Sequence, residues 1–215
     1  MILKKIVFLT AAIFLVYTSS VAGNRLTQEE ALVNVTNCQT YVQHASVKHE
    51  HHGELLGLLN GSTWNVVSDE FEDFITEARS SQDYQKERIV LIGSRGHSLE
   101  HQVKNLKDSD CNPCLANNIR HFCRNAEALI AEVNSSLENL YQNVRENAGM
   151  FSSIFVQHAE EKLTYAIETS SADKLEDAQE KLKSAKAKIR NRNHSHALEI
   201  VFEIFTILKP ELILD

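Results

Sequence analysis

The sequence predicts an all-α protein, a single compact or elongated bundle of about six helices tied by two disulfides. Three observations carry this expectation. Two prolines and seven glycines in 215 residues leave few positions that break a helix. Apolar residues recur at steps of three and four along nearly the whole chain, the period of a helix face. Four cysteines, an even number, follow an N-terminal stretch built like an export signal.

In that stretch Lys4 and Lys5 precede a run of 12 largely apolar residues, Ile6 to Tyr17, and a small-residue segment from Thr18 to Gly23. This is the layout of a secretory signal peptide with cleavage after Ala22 or Gly23. As a helix the run reaches about 18 Å, short of the roughly 30 Å of a hydrocarbon core. Residues 1–23 are therefore read as the signal, and residues 24–215 as one secreted, extracellular helical domain. Ala197 to Leu208 is the next most apolar stretch, but it is short and holds Glu199 and Glu203, so no transmembrane segment is expected. Cleavage would remove two of 22 basic residues and none of 29 acidic ones, leaving a net charge of −9. That balance argues against a nucleic-acid partner, which requires a basic face.

The first mature segment is the most regular. Ala31, Val35, Cys38, Val42, Ala45, His49, His52, Leu56 and Leu59 fall on one helical stripe, opened by a capping box (Thr27, Glu30) and closed by Asn60-Gly61. Ser62 or Thr63 opens a second helix with Val67, Phe71, Phe74, Ile75 and Ala78 on one side. A helical segment from about Asp83 carries Ile89 to Ile92, a break is expected at Gly93–Gly96, and Leu99, Val103 and Leu106 form a short amphipathic piece. Pro113 suits a first helical turn. Behind it Leu115, Ile119, Phe122, Ala126, Leu129, Val133, Leu137, Leu140 and Val144 make a long stripe, bent or ended near Ala148-Gly149. Phe151, Ile154, Phe155, Ala159 and Leu163 mark the next helix, and Leu175, Ala178, Leu182, Ala185 and Ile189 another. The last, about Ser195 to Leu208, is apolar on most sides and should lie mid-bundle.

The cysteines then limit their own pairing. Cys114 and Cys123 lie on one predicted helix, about 13 Å apart along its axis, and a disulfide needs Cα atoms within roughly 7 Å. The expected bridges are Cys38–Cys123 and Cys111–Cys114. Four sequons, at Asn34, Asn60, Asn134 and Asn193, are candidate glycosylation sites in the same compartment.

Several constellations resemble chemistry. His97-Ser98-Leu99-Glu100-His101 has the H-x-x-E-H spacing of inverted zinc peptidases, but a small all-helical chain lacks their mixed α/β context. Cys111-Asn112-Pro113-Cys114 has redox spacing without the strand that precedes such motifs. Among ten histidines, His44, His49 and His52 are the candidate metal or haem ligands, His49 and His52 standing on the core-facing stripe and His44 and His51 off it. Lys174, Lys181, Lys183, Lys186, Lys188, Arg190 and Arg192, with Lys162 one helix earlier, concentrate positive charge. They read as a solvated face partly paired with Glu176, Asp177 and Glu180, or as a site for an anionic glycan or membrane surface.

The expectation is thus a non-enzymatic extracellular interaction protein with no cofactor, able to self-associate. The alternative is a carrier of an apolar lipid or steroid in a helical cavity. A filled core favours the first and a large apolar cavity the second.

Overall fold

The computed structural model describes residues 26–59, 69–106, 112–166 and 171–213, and every regular element among them is helical. Six α-helices follow in order: α1 Gln28–Leu58, α2 Asp69–Lys104, α3 Pro113–Glu146, α4 Ala148–Ala166, α5 Ala172–Arg190 and α6 His194–Leu208. A short 3-10 turn, Pro210–Leu212, ends the described chain. No described helix is long and apolar enough to cross a membrane. The segments expected to be the signal, the α1–α2 connection and the start of the second helix lie outside the described residues.

Helix α1 starts where its capping box predicts. Thr27 accepts from the Glu30 backbone N–H at 3.2 Å, and the Glu30 carboxylate accepts from the Thr27 backbone N–H at 2.9 Å. Asn112 caps α3 through the Leu115 N–H, with Pro113 in the first turn, where its missing donor costs nothing. All nine α1 stripe residues and all nine α3 stripe residues are buried.

Cross-helix contacts set the topology. Gln28 Nε2 donates to Val103 O and His49 Nε2 meets Gln82 O, so α2 runs antiparallel to α1. Lys48 Nζ donates to Asn134 Oδ1 and His51 meets Tyr141, so α3 runs parallel to α1. These three long helices form an up-down-up bundle roughly 50 Å long. Helices α4, α5 and α6 pack on one another and close over the C-terminal halves of α1 and α3. As expected, α6 is enclosed, with Ala197, Leu198, Ile200, Val201, Phe202, Ile204 and Phe205 buried.

Two buried clusters result. At one end Ala31, Val35, Val42, Leu99, Val103, Ile119, Phe122 and Leu129 surround the Cys38–Cys123 disulfide, whose Cα atoms are 5.1 Å apart. At the other, side chains from all six helices and the 3-10 turn pack around six buried aromatic residues. Ion pairs cross its surface between Arg145 and Glu199, Lys181 and Glu203, and Lys186 and Glu160.

Two sequence expectations need correction. Helix α2 does not break at Gly93–Gly96 but continues to Lys104. Gly96 serves packing instead: a Cβ there would stand 2.7 Å from the Phe122 ring, so its absence lets α3 seat that ring against the α2 backbone. The second expected bridge is not formed either. Cys114 is exposed and carries a free thiol, while Cys111 lies outside the described residues. Cys114 instead sits in the exposed first turn of α3, behind the Asn112 cap.

Candidate functional site

Between the two clusters α1 becomes polar inside. Lys48, His49, His51 and His52 are all buried. One stripe accounts for His49 and His52, but His51 is buried too, against the sequence expectation. The reason is that the C-terminal half of α1 is covered on a second side, by α6 aromatic residues and the 3-10 turn, which meets α1. Lys48 donates to Asn134 Oδ1 at 2.6 Å and to Ile213 O at 2.8 Å, so this buried ammonium ties α1 to α3 and to the end of the described chain.

The three candidate metal ligands are not gathered into a ligand set. His49 is committed to the Gln82 carbonyl at 2.9 Å, and Gln82 Nε2 donates back to His49 O at 2.8 Å, beside the bare Cα of Gly53. His52 is fully buried, and among the described residues neither ring nitrogen makes a well-formed hydrogen bond, although the Gln82 side chain is close enough to favour its protonated form slightly. Burial disfavours its imidazolium and pushes its pKa down to about 4. His44 is half-buried, about one and a half turns before His49. Among the described residues no group of three or more His, Cys, Asp or Glu side chains is placed to hold a metal ion. The H-x-x-E-H segment has ordinary surface roles: His97 and His101 are exposed, and Glu100 accepts from Lys104 at 2.6 Å and Gln39 at 3.1 Å. Those donors hold the Glu100 carboxyl below its usual range.

The structure instead assembles a cluster that single-segment patterns do not reveal. His51 Nε2 lies 3.0 Å from the Tyr141 hydroxyl, and its Nδ1 faces Glu54 Oε2 at 3.8 Å. Lys162 of α4 donates to Glu54 Oε1 at 2.7 Å. Contact with His51, followed by the Lys162 ammonium, holds the Glu54 carboxyl at about 2 although burial opposes this. Burial lowers the pKa of His51 and also that of His158, where Lys162 adds to the effect. It raises that of the Tyr141 phenol. Phe205 meets both imidazoles edge-on, at 4.9 Å and 5.8 Å between ring centroids. The cluster borders a half-open cavity of about 220 Å³ that Tyr165, Ala166, Phe205, Leu208, Lys209 and Leu212 also line. A wider groove of about 570 Å³ lies between the end of α2 and the start of α3, beside Cys114, but collects no such charged cluster.

The sequons fall in different settings. Asn193 is exposed and caps α6, Asn34 and Asn134 are half-buried within helices, and Asn60 is outside the described residues. The basic stretch on α5 pairs across helices, Lys181 with Glu203 and Lys186 with Glu160, rather than with its own Glu176, Asp177 and Glu180.

These features define the class of the protein as an all-helical bundle with one disulfide, a buried histidine layer and a small charged cavity. The chain matches no protein-family model, no curated protein and no solved structure.

Proposed function

We propose that the protein is a secreted, non-enzymatic helical glycoprotein acting as an extracellular interaction protein through the outer face of α2. The observation that carries this reading is a filled core. Buried side chains occupy both ends of the bundle, the cavity beside His51 falls below the roughly 300–1,000 Å³ of drug-sized ligand sites, and the larger groove beside Cys114 is an open cleft lined mostly by His, Gln and Asn rather than an apolar chamber. A lipid or steroid carrier needs more room, so binding falls to the surface. On α2, Tyr84, Arg88 and Leu91 follow one helical face, with Val90 beside them. Tyr84, Val90 and Leu91 are 58%, 64% and 71% exposed, and Arg88 lies over the Tyr84 ring at 5.6 Å. Exposed aromatic and aliphatic side chains grouped this way are the material of protein interfaces, while half-buried Arg88, paired with Glu132 of α3, braces the Tyr84 ring from behind.

Among the sequons, Asn193 suits a glycan best, because it is exposed at a helix start. Asn134 is half-buried, with its Oδ1 held by Lys48.

Native mass spectrometry of the protein secreted from expressing cells tests the reading. The wild type is expected to carry a second copy or a co-secreted protein, and Val90→Glu/Leu91→Glu to release it with an unchanged circular dichroism spectrum. A monomer bearing a lipid or steroid would favour the carrier instead.

A further inference from the structure

The geometry points to a second site, independent of the α2 face: we propose that the cavity between α1, α4, α6 and the 3-10 turn binds a small amphiphilic carboxylic acid. Its carboxylate would meet Lys209 and Lys162, and its apolar body would lie against Phe205, Leu208 and Leu212.

Size sets the first limit. A half-open space of about 220 Å³ admits a short-chain or single-ring molecule and excludes steroids and two-chain lipids. Polarity sets the second, because the lining is mixed. Phe205, Leu208 and Leu212 from α6 and the turn supply apolar surface, while Glu54, Lys162 and Lys209 supply charge within the same small space. Such a lining suits a molecule with one polar end.

Charge selects the sign of that end. Glu54 is spoken for, since its Oε1 accepts from Lys162 at 2.7 Å. Lys209 has no carboxylate within ion-pair distance among the described residues, yet it stands near enough to help lower the pKa of both Glu54 and His51. His51 is buried and His158 half-buried beside Phe205, and burial disfavours the charged form of each, so they add no charge at physiological pH. Among the described residues that line the cavity, two ammonium groups against one carboxylate leave a surplus of one positive charge. A monoanion with an apolar body satisfies it, whereas an amine of the same shape would be repelled.

Isothermal titration calorimetry on the full secreted protein tests this, with octanoate, octylamine and octanol as probes. Octanoate should bind saturably, octanol more weakly, and octylamine not at all. Lys209→Met should weaken octanoate by about tenfold or more, the loss of one charge-assisted contact. Leu208→Trp, which adds bulk to the apolar lining, should abolish binding while thermal unfolding stays cooperative. Should that variant fail to fold, Lys209→Met carries the test alone. Equal binding of octanoate and octylamine, octanoate affinity unchanged in Lys209→Met, or no octanoate binding to the wild type would each overturn the proposal.

Discussion

Around Cys38–Cys123 the buried core contains one aromatic ring, Phe122, among small and aliphatic side chains, whereas the opposite cluster contains Phe71, Tyr141, Phe151, Phe155, Phe202 and Phe205. The buried polar residues Lys48, His49, His51, His52, Gln85 and Ser152 all belong to the middle of the bundle or to the aromatic end. The disulfide end is held by an apolar core and a covalent link, neither of which titrates. The aromatic end is held partly by groups whose protonation opposes folding. Firmness and chemistry are thus separated along one bundle, and the separation can be broken experimentally.

The largest effect should come from removing the bridge. Cys38→Ala/Cys123→Ala opens a link spanning 85 residues, and loop entropy alone puts the loss at about 4.5 kcal/mol. Cys114→Ser, at an exposed free thiol, should move stability by less than about 0.5 kcal/mol. Urea unfolding of the three proteins measures both.

The next effect belongs to the histidine layer. His52 is neutral in the fold, with a pKa near 4 against an ordinary 6.5. The unfolded chain therefore binds more protons across that window, and stability rises with pH. The contribution is full above about pH 6.5 and is lost as pH falls toward about 4. Between pH 7 and pH 5 this one residue should cost about 2 kcal/mol, and His51 and His158, whose pKa values are also lowered, act in the same direction. His52→Leu removes a buried imidazole whose nitrogens lack well-formed hydrogen bonds, so it should flatten this dependence and raise stability at pH 5. Denaturation curves at the two pH values decide the matter; an unaltered slope in the variant would clear His52 of the role.

A smaller effect returns to the disulfide end. Gly96→Ala places a methyl group against Phe122. Overpacking costs about 2 kcal/mol, and the gain in helix propensity offsets about 1 of it, leaving a net loss near 1 kcal/mol. Phe122→Leu in the same background should recover part of that loss. If Gly96→Ala is neutral, the close approach of α3 to α2 is not a constraint.

Much of this architecture was legible in the sequence because helical periodicity is local information. The α1 and α3 stripes, the Thr27 capping box and Pro113 at a helix start all follow from residues within a turn or two. The Cys38–Cys123 pairing followed from helix length, since Cys123 stands too far along its helix from Cys114 to pair with it and is stretched from Cys111 for the same reason. The misreadings arose where distant chain decides. Gly93 and Gly96 resemble a break until Phe122 of α3 is seen to need the space. His51 seemed to leave the core because its cover, Tyr141 and Phe205, lies 90 residues and more away in sequence. The cavity cluster was invisible for the same reason, because Glu54 and Lys162 meet across 108 residues.

Hydrogen–deuterium exchange at pH 7 and pH 5, corrected for intrinsic rates, tests the division of the bundle most directly. Amides in residues 48–56 and 198–205 should lose protection on acidification, while those in residues 31–38 and 115–126 keep theirs. Loss of protection at the disulfide end first, or equal loss at both ends, would contradict it.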